Sequence, residues 1–210
     1  MSIEVWFAFV IASTALLLIP GPTILLVLSY ALSQGRKTGL ATAAGAALGD
    51  LIAMTASLAG LGSILLTSAS LFTALKWIGA AYLVYLGIKL FRSATTTQLG
   101  NIENQTETSF WKIFGHAAAI TALNPKSIVF FIAFVPQFIN VETALLPQFT
   151  ILILTFISLA SITVLTYAFL ADKLRQRITR PSVFRWFSRL GGSALVAMGI
   201  ATVIYKKSTS

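Results

Sequence analysis

Two ionisable side chains stand deep inside apolar runs of this chain. Asp50 follows Gly45-Ala46-Ala47-Leu48-Gly49, and Lys126 lies within Thr121-Ala122-Leu123-Asn124-Pro125-Lys126-Ser127. A charge at the centre of a membrane costs at least about 2.5–3.5 kcal/mol on insertion scales, so each needs a partner or a purpose. One reading pairs Asp50 with Lys126 as a tie between segments. The other is a site for a zwitterion, in which Lys126 meets a carboxylate and Asp50 meets an ammonium group or carries a proton.

Both residues sit near the level of two chain breaks. Pro20-Gly21-Pro22-Thr23 interrupts an apolar run from Val5 to Leu32, and Asn124-Pro125 interrupts a second. Proline in a helix interior costs about 3 kcal/mol, and carbonyls freed in lipid need other donors. Asn is a favoured N-cap and Pro a favoured first helical residue, so Asn124-Pro125 reads as the start of a new half-helix. Pro22-Thr23 reads as the start of another. Such starts present unpaired N–H groups and a positive dipole end, and two at one depth make an anion site at the bilayer midplane. A plain kink without a ligand is the alternative. The candidate substrate-binding set is Pro20, Gly21, Pro22, Thr23, Asp50, Asn124, Pro125 and Lys126, with Asp50 also the candidate proton carrier. Gly45-xxx-Gly49, set among alanines, is expected to serve helix packing, against the broken helix or at a dimer seam.

The elements that must hold these residues are membrane spans. The 210 residues are 57% hydrophobic and 10% charged, with a mean hydropathy of +0.87; soluble domains carry about 25% charged residues. Six apolar segments are long enough for about 30 Å of hydrocarbon, roughly 4–33, 39–62, 70–91, 113–138, 147–170 and 187–205. The opening Met1-Ser2-Ile3-Glu4 has no basic region and no cleavage site follows, so the first segment is expected to be retained. Most of the 15 lysines and arginines fall in the odd loops: Arg36 and Lys37; Lys89, Arg92 and Lys112; and the run from Lys173 to Arg189. The positive-inside rule puts those loops in the cytoplasm and both termini outside. Three spans per half force the halves into opposite orientations, which predicts an inverted repeat. The expected fold is an all-α integral membrane protein: six transmembrane helices in two inverted three-helix repeats, 1–92 and 113–210, joined by a polar cytoplasmic linker, 93–112, with helices 1 and 4 broken.

Several classes are excluded. The absence of cysteine removes disulfide and thiolate chemistry. The single histidine, His116, makes no metal site alone; it reads as interfacial. There is no nucleophile–base pair for an enzyme and no cofactor is implied. The net charge of +9 encodes topology rather than a nucleic-acid partner. Thr155, Ser158, Ser161, Thr163 and Thr166 of the fifth span are expected to make interhelical hydrogen bonds, with pore lining as the alternative.

In order and spacing, Pro20-Gly21-Pro22, Gly45-xxx-Gly49-Asp50, the block Leu75-Lys76-Trp77-Ile78-Gly79-Ala80-Ala81-Tyr82-Leu83, and Asn124-Pro125-Lys126 resemble the LysE/RhtB family of amino-acid exporters. The Leu75–Leu83 block and Asn124–Phe130 are most similar to its homoserine/threonine branch. The resemblance implies multi-pass insertion in the bacterial cytoplasmic (inner) membrane and efflux of an amino acid or derivative, such as homoserine lactone, driven by the proton motive force. The single midplane acid favours a neutral, threonine- or homoserine-like substrate. A lysine or arginine exporter is the alternative, and a divalent-cation transporter a more distant one, since a hard cation wants several oxygen ligands and Lys126 repels it. A homodimer is expected because the unit is small for a transporter.

Overall fold

The computed structural model describes residues 1–67 and 108–171, with single positions between 70 and 88 and between 189 and 200. Apart from those positions, the expected third and sixth spans lie outside the described residues, as do the linker as far as Glu107 and the basic segment from Asp172. Six helices have defined bounds among the described residues. They are α1 (Ile3–Leu18), α2 (Pro22–Gln34), α3 (Thr38–Thr67), α4 (Phe110–Ala122), α5 (Pro125–Ala133) and α6 (Leu145–Phe169), with a 3-10 turn at Val135–Phe138 after α5.

Two helices are long and apolar enough to cross a membrane alone, within α3 over Thr38–Ile64 and α6 over Leu145–Phe169. Neither carries a charged residue except Asp50 in α3. The other four pair up as bent spans. α1 meets α2 at 54°, and α4 meets α5 with its 3-10 turn at 46°. At about 1.5 Å per residue, the 16 residues of α1 or the 13 of α4 fall short of the hydrocarbon thickness alone. The described residues therefore supply up to four spans, two of them broken near the middle.

Helix α3 is the central post, with its widest contact on α4 and others on α6, α5 and α2. Small residues set that contact. A Cβ built on Gly49 would lie 2.6 Å from the Ala118 carbonyl and 2.8 Å from the Ala122 amide. One on Gly45 would collide with the Phe114 carbonyl. The glycine pair thus faces the first half of the broken fourth span. Dispersion between backbones in close contact, rather than the hydrophobic effect, draws such helices together in lipid.

Two apolar clusters divide the interior. The first contains Phe9 and Leu16 of α1, Met54 and Leu58 of α3, Phe130, Phe131 and Phe134 after the second break, and Leu152 and Phe156 of α6. Its rings meet edge-on or tilted, with Phe131 and Phe156 centroids 4.8 Å apart, a geometry favoured by the ring quadrupole. The second joins Ile24, Val27 and Leu28 of α2 to Ala43 and Ala46 of α3 and Val164, Tyr167 and Ala168 of α6. Between the two clusters lie the first break on α1–α2, Asp50 on α3 and Thr163 on α6.

The polar residues of α6 behave differently from expectation. Ser158, Thr163 and Thr166 donate to their own helix, to the carbonyls of Leu154, Leu159 and Ile162 at 2.7–2.8 Å. Of the five hydroxyls named in the sequence, Thr155 reaches another element, accepting from Trp6 Nε1 at 3.0 Å. A hydroxyl facing an apolar medium takes the nearest acceptor, which is the carbonyl one turn back. His116 is likewise more than interfacial, since its Nδ1 lies 2.9 Å from the Tyr30 hydroxyl and ties α4 to α2. One end of that contact is doubled by Gln34 and Thr108, which exchange two hydrogen bonds of 2.8 and 3.0 Å.

Candidate functional site

The first break is shaped by which carbonyls its prolines leave without donors. In a continuous helix the amide of residue 20 would bond the Leu16 carbonyl, and that of residue 22 the Leu18 carbonyl. Pro20 and Pro22 have no amide hydrogen. The Leu16 carbonyl keeps one local donor, the Ile19 amide at 3.2 Å, and further donors come from the other half of the molecule. Lys126 Nζ donates to the Leu16 carbonyl at 3.1 Å and to the Ile19 carbonyl at 2.9 Å. The Tyr167 hydroxyl donates to the Leu18 carbonyl at 3.1 Å. The chain then runs extended through Gly21, and Pro22 opens α2 as its first residue.

The second break satisfies itself locally. The Asn124 amide donates to the Thr121 carbonyl at 3.1 Å, closing a tight turn after α4. Asn124 caps α5, its Oδ1 accepting from the Lys126 backbone amide at 3.1 Å, and Pro125 is the first residue of that helix. Asn124→Ala should cost about 1 kcal/mol, the usual value of an N-cap. The loss is read as a lower thermal midpoint in detergent, and an unchanged midpoint would show that the turn holds without its cap.

Hydroxyls join the breaks directly. Thr23 Oγ1 lies 3.1 Å from Thr121 Oγ1, and Asn124 Nδ2 donates to Thr23 Oγ1 at 3.4 Å. Between them is a cavity of about 30 Å³ that also reaches Asp50. Asp50 is 4% exposed, and no described residue forms a hydrogen bond with its carboxylate. It shares the cavity with Lys126 without making a direct ion pair, because the ammonium is turned to the α1 carbonyls. A buried carboxylate without a donor among the described residues is costly, and this one lines the cavity.

Of the residues singled out in the sequence, Gly21, Thr23, Asp50, Asn124 and Lys126 line the cavity. Pro20, Pro22 and Pro125 are absent from its lining and shape the backbone around it. Thr121, Ser127 and Thr163 also line it and were not singled out as site residues. Thr121 carried a usable signal, being a polar residue immediately N-terminal to a proline break. Thr163 carried a signal shared with four alike hydroxyls on α6, for which pore lining is the alternative. Among the described residues, no group of three or more His, Cys, Asp or Glu comes together.

The chain was compared with known proteins. The family described as LysE type translocator matches over residues 14–206. A homoserine/homoserine lactone efflux protein of Salmonella typhimurium is 34% identical over 199 residues, 95% of this chain and 96% of that protein. Its counterpart in Salmonella typhi is 35% identical over the same length. A leucine efflux protein of Salmonella typhimurium is 35% identical over 136 residues, 65% of this chain but only 64% of that protein's length. No solved structure matches. With a family match over nearly its whole length, two broken spans and small-residue helix packing, this chain belongs to the LysE type translocators.

Proposed function

We propose that the protein is a secondary transporter that exports amino acids from the bacterial cytoplasm across the inner membrane, and is not an enzyme. The observation that carries this reading is the meeting of two mid-span breaks at one small cavity bearing a lysine ammonium and a carboxylate with no hydrogen bond from the described residues. Groups of opposite sign suit a zwitterion. The names of the relatives support a neutral amino acid, leucine or homoserine, or the lactone of the latter. One carboxylate facing one ammonium gives a second cationic side chain no partner, which argues against lysine and arginine. Lys126 argues against a divalent cation.

The mechanism proposed is alternating access. A cavity of about 30 Å³ has room for a water or two, not for an amino acid, so the helices must part for substrate to enter. Apolar clusters on both sides of the cavity supply two seals that can open in turn. We take the chain as two inverted repeats, 1–92 and 113–210, joined by a cytoplasmic linker at 93–112. The paired bends of 54° and 46° support that symmetry. Proton antiport follows if Asp50 alternates between a proton and the substrate ammonium, so that outward movement of one substrate is tied to inward movement of a proton.

The test is efflux from proteoliposomes loaded singly with labelled leucine, homoserine, threonine, lysine or arginine. The receiving side is made acidic. Gradient-dependent loss of leucine, homoserine or threonine is expected. Loss of lysine or arginine alone would assign the basic substrates instead, and no loss of any from folded, oriented protein would remove the exporter reading.

A further inference from the structure

The Lys126 ammonium is bonded as a ligand would be. It sits on two carbonyls at the end of α1, Leu16 and Ile19, at 3.1 and 2.9 Å. The C-terminal end of a helix carries partial negative charge and favours a cation. The wall here is bare backbone: a Cβ built on Gly21 would stand 3.3 Å from Nζ and 3.4 Å from Cε. The Asp50 carboxylate, 4% exposed and without a hydrogen bond from any described residue, faces the same cavity. These are the parts of a site for a primary ammonium group: acceptors in place, a negative charge nearby and a close fit.

We propose that the carbonyls of Leu16 and Ile19, with Asp50 alongside, form a binding site for a primary ammonium group, and that Lys126 fills it as a tethered stand-in until substrate arrives. The inference rests on the exporter reading for the identity of the natural ligand, but the ammonium site is defined by this chain alone. An incoming zwitterion takes the carbonyls with its own ammonium. The released Lys126 then meets the carboxylate of the same molecule, close to the N-terminus of α5. The exchange keeps both charges matched and leaves the proline-freed carbonyls with a donor throughout, which a lipid-embedded break requires. It also explains why Lys126 and Asp50 share a cavity and are not joined. A ligand with an ammonium but neither a carboxylate nor an ester carbonyl displaces Lys126 without giving it a new partner, so the wild-type protein discriminates against simple amines.

The experiment uses the full chain in lipid nanodiscs, with ethylamine as the probe and tetramethylammonium as a cation that cannot donate a hydrogen bond. In the Lys126→Ala protein the site is vacated. Ethylamine should then raise the thermal midpoint and bind at least about tenfold more tightly than to wild type, the factor of one charge-assisted hydrogen bond. Tetramethylammonium should do neither, and adding Asp50→Asn should weaken the gain. Equal effects of the two cations on Lys126→Ala, or ethylamine binding to wild type as tightly as to the variant, would overturn the proposal. If Lys126→Ala does not fold by itself, recovery of folded protein with ethylamine and not with tetramethylammonium supports the site, and failure with both overturns it. Ethylamine binding as expected together with no amino-acid efflux would keep the ammonium site and discard the exporter reading.

Discussion

The Asp50→Asn protein folds, keeps or raises its thermal midpoint, and loses gradient-driven efflux down to the level of empty proteoliposomes. The two halves of this result have different causes. Asp50 is 4% exposed and receives no hydrogen bond from the described residues, so the desolvation cost of its charge outweighs the attraction of the nearby Lys126 ammonium. An amide of the same shape removes that cost. Lys126 is not stranded by the change, because its ammonium is held by the Leu16 and Ile19 carbonyls. Stability therefore holds. Transport is lost because an amide neither carries a proton nor offers a full charge to a substrate ammonium. The opposite pattern, a lower midpoint with efflux retained, would make Asp50 a structural partner of Lys126 and nothing more. Thermal denaturation and proteoliposome efflux on the same preparation distinguish the two outcomes.

Gly49→Ala is expected to destabilise the fold strongly, while Gly60→Ala on the same helix does not. The added Cβ at position 49 would lie 2.6 Å from the Ala118 carbonyl, 2.7 Å from Thr121 Cβ and 2.8 Å from the Ala122 amide. Two of these are backbone atoms of α4 and cannot rotate away. The helices must separate, and overpacking of this kind typically costs about 1–3 kcal/mol. A Cβ at Gly60 meets no described residue within 4 Å, so alanine there is expected to improve helix propensity, by up to about 1 kcal/mol. The comparison cancels propensity and isolates the close approach. The same clash has a functional consequence: Gly49 precedes Asp50, and Thr121 lines the cavity. Moving α3 away from α4 carries the carboxylate away from the second break. Gly49→Ala should thus reduce efflux in whatever fraction remains folded. A midpoint shift no different from that of Gly60→Ala would mean that α3 and α4 approach less closely than this packing requires.

What the sequence by itself determined is local. Proline has no amide hydrogen wherever it stands, so Pro20, Pro22 and Pro125 mark breaks without reference to any other segment. Asn124 before Pro125 carries its capping role in its own chemistry. The spans follow from length and hydropathy, and 39–62 and 147–170 fall within α3 at Thr38–Thr67 and close to α6 at Leu145–Phe169. The close-packing glycines at 45 and 49 were legible as a pair, though not which helix they meet. Only the tertiary structure decided the pairings. Lys126 and Leu16 are 110 residues apart, and Thr23 and Thr121 are 98 apart; nothing in either segment names the other. The hydroxyls of Ser158, Thr163 and Thr166 turned to their own backbone, where the nearest acceptor is the carbonyl one turn back. Lys126 turned from Asp50 to the α1 carbonyls because Pro20 had removed a donor there and the fold brought the ammonium within 3.1 Å. A sequence states which backbone groups lack partners, and packing chooses which distant side chain supplies them.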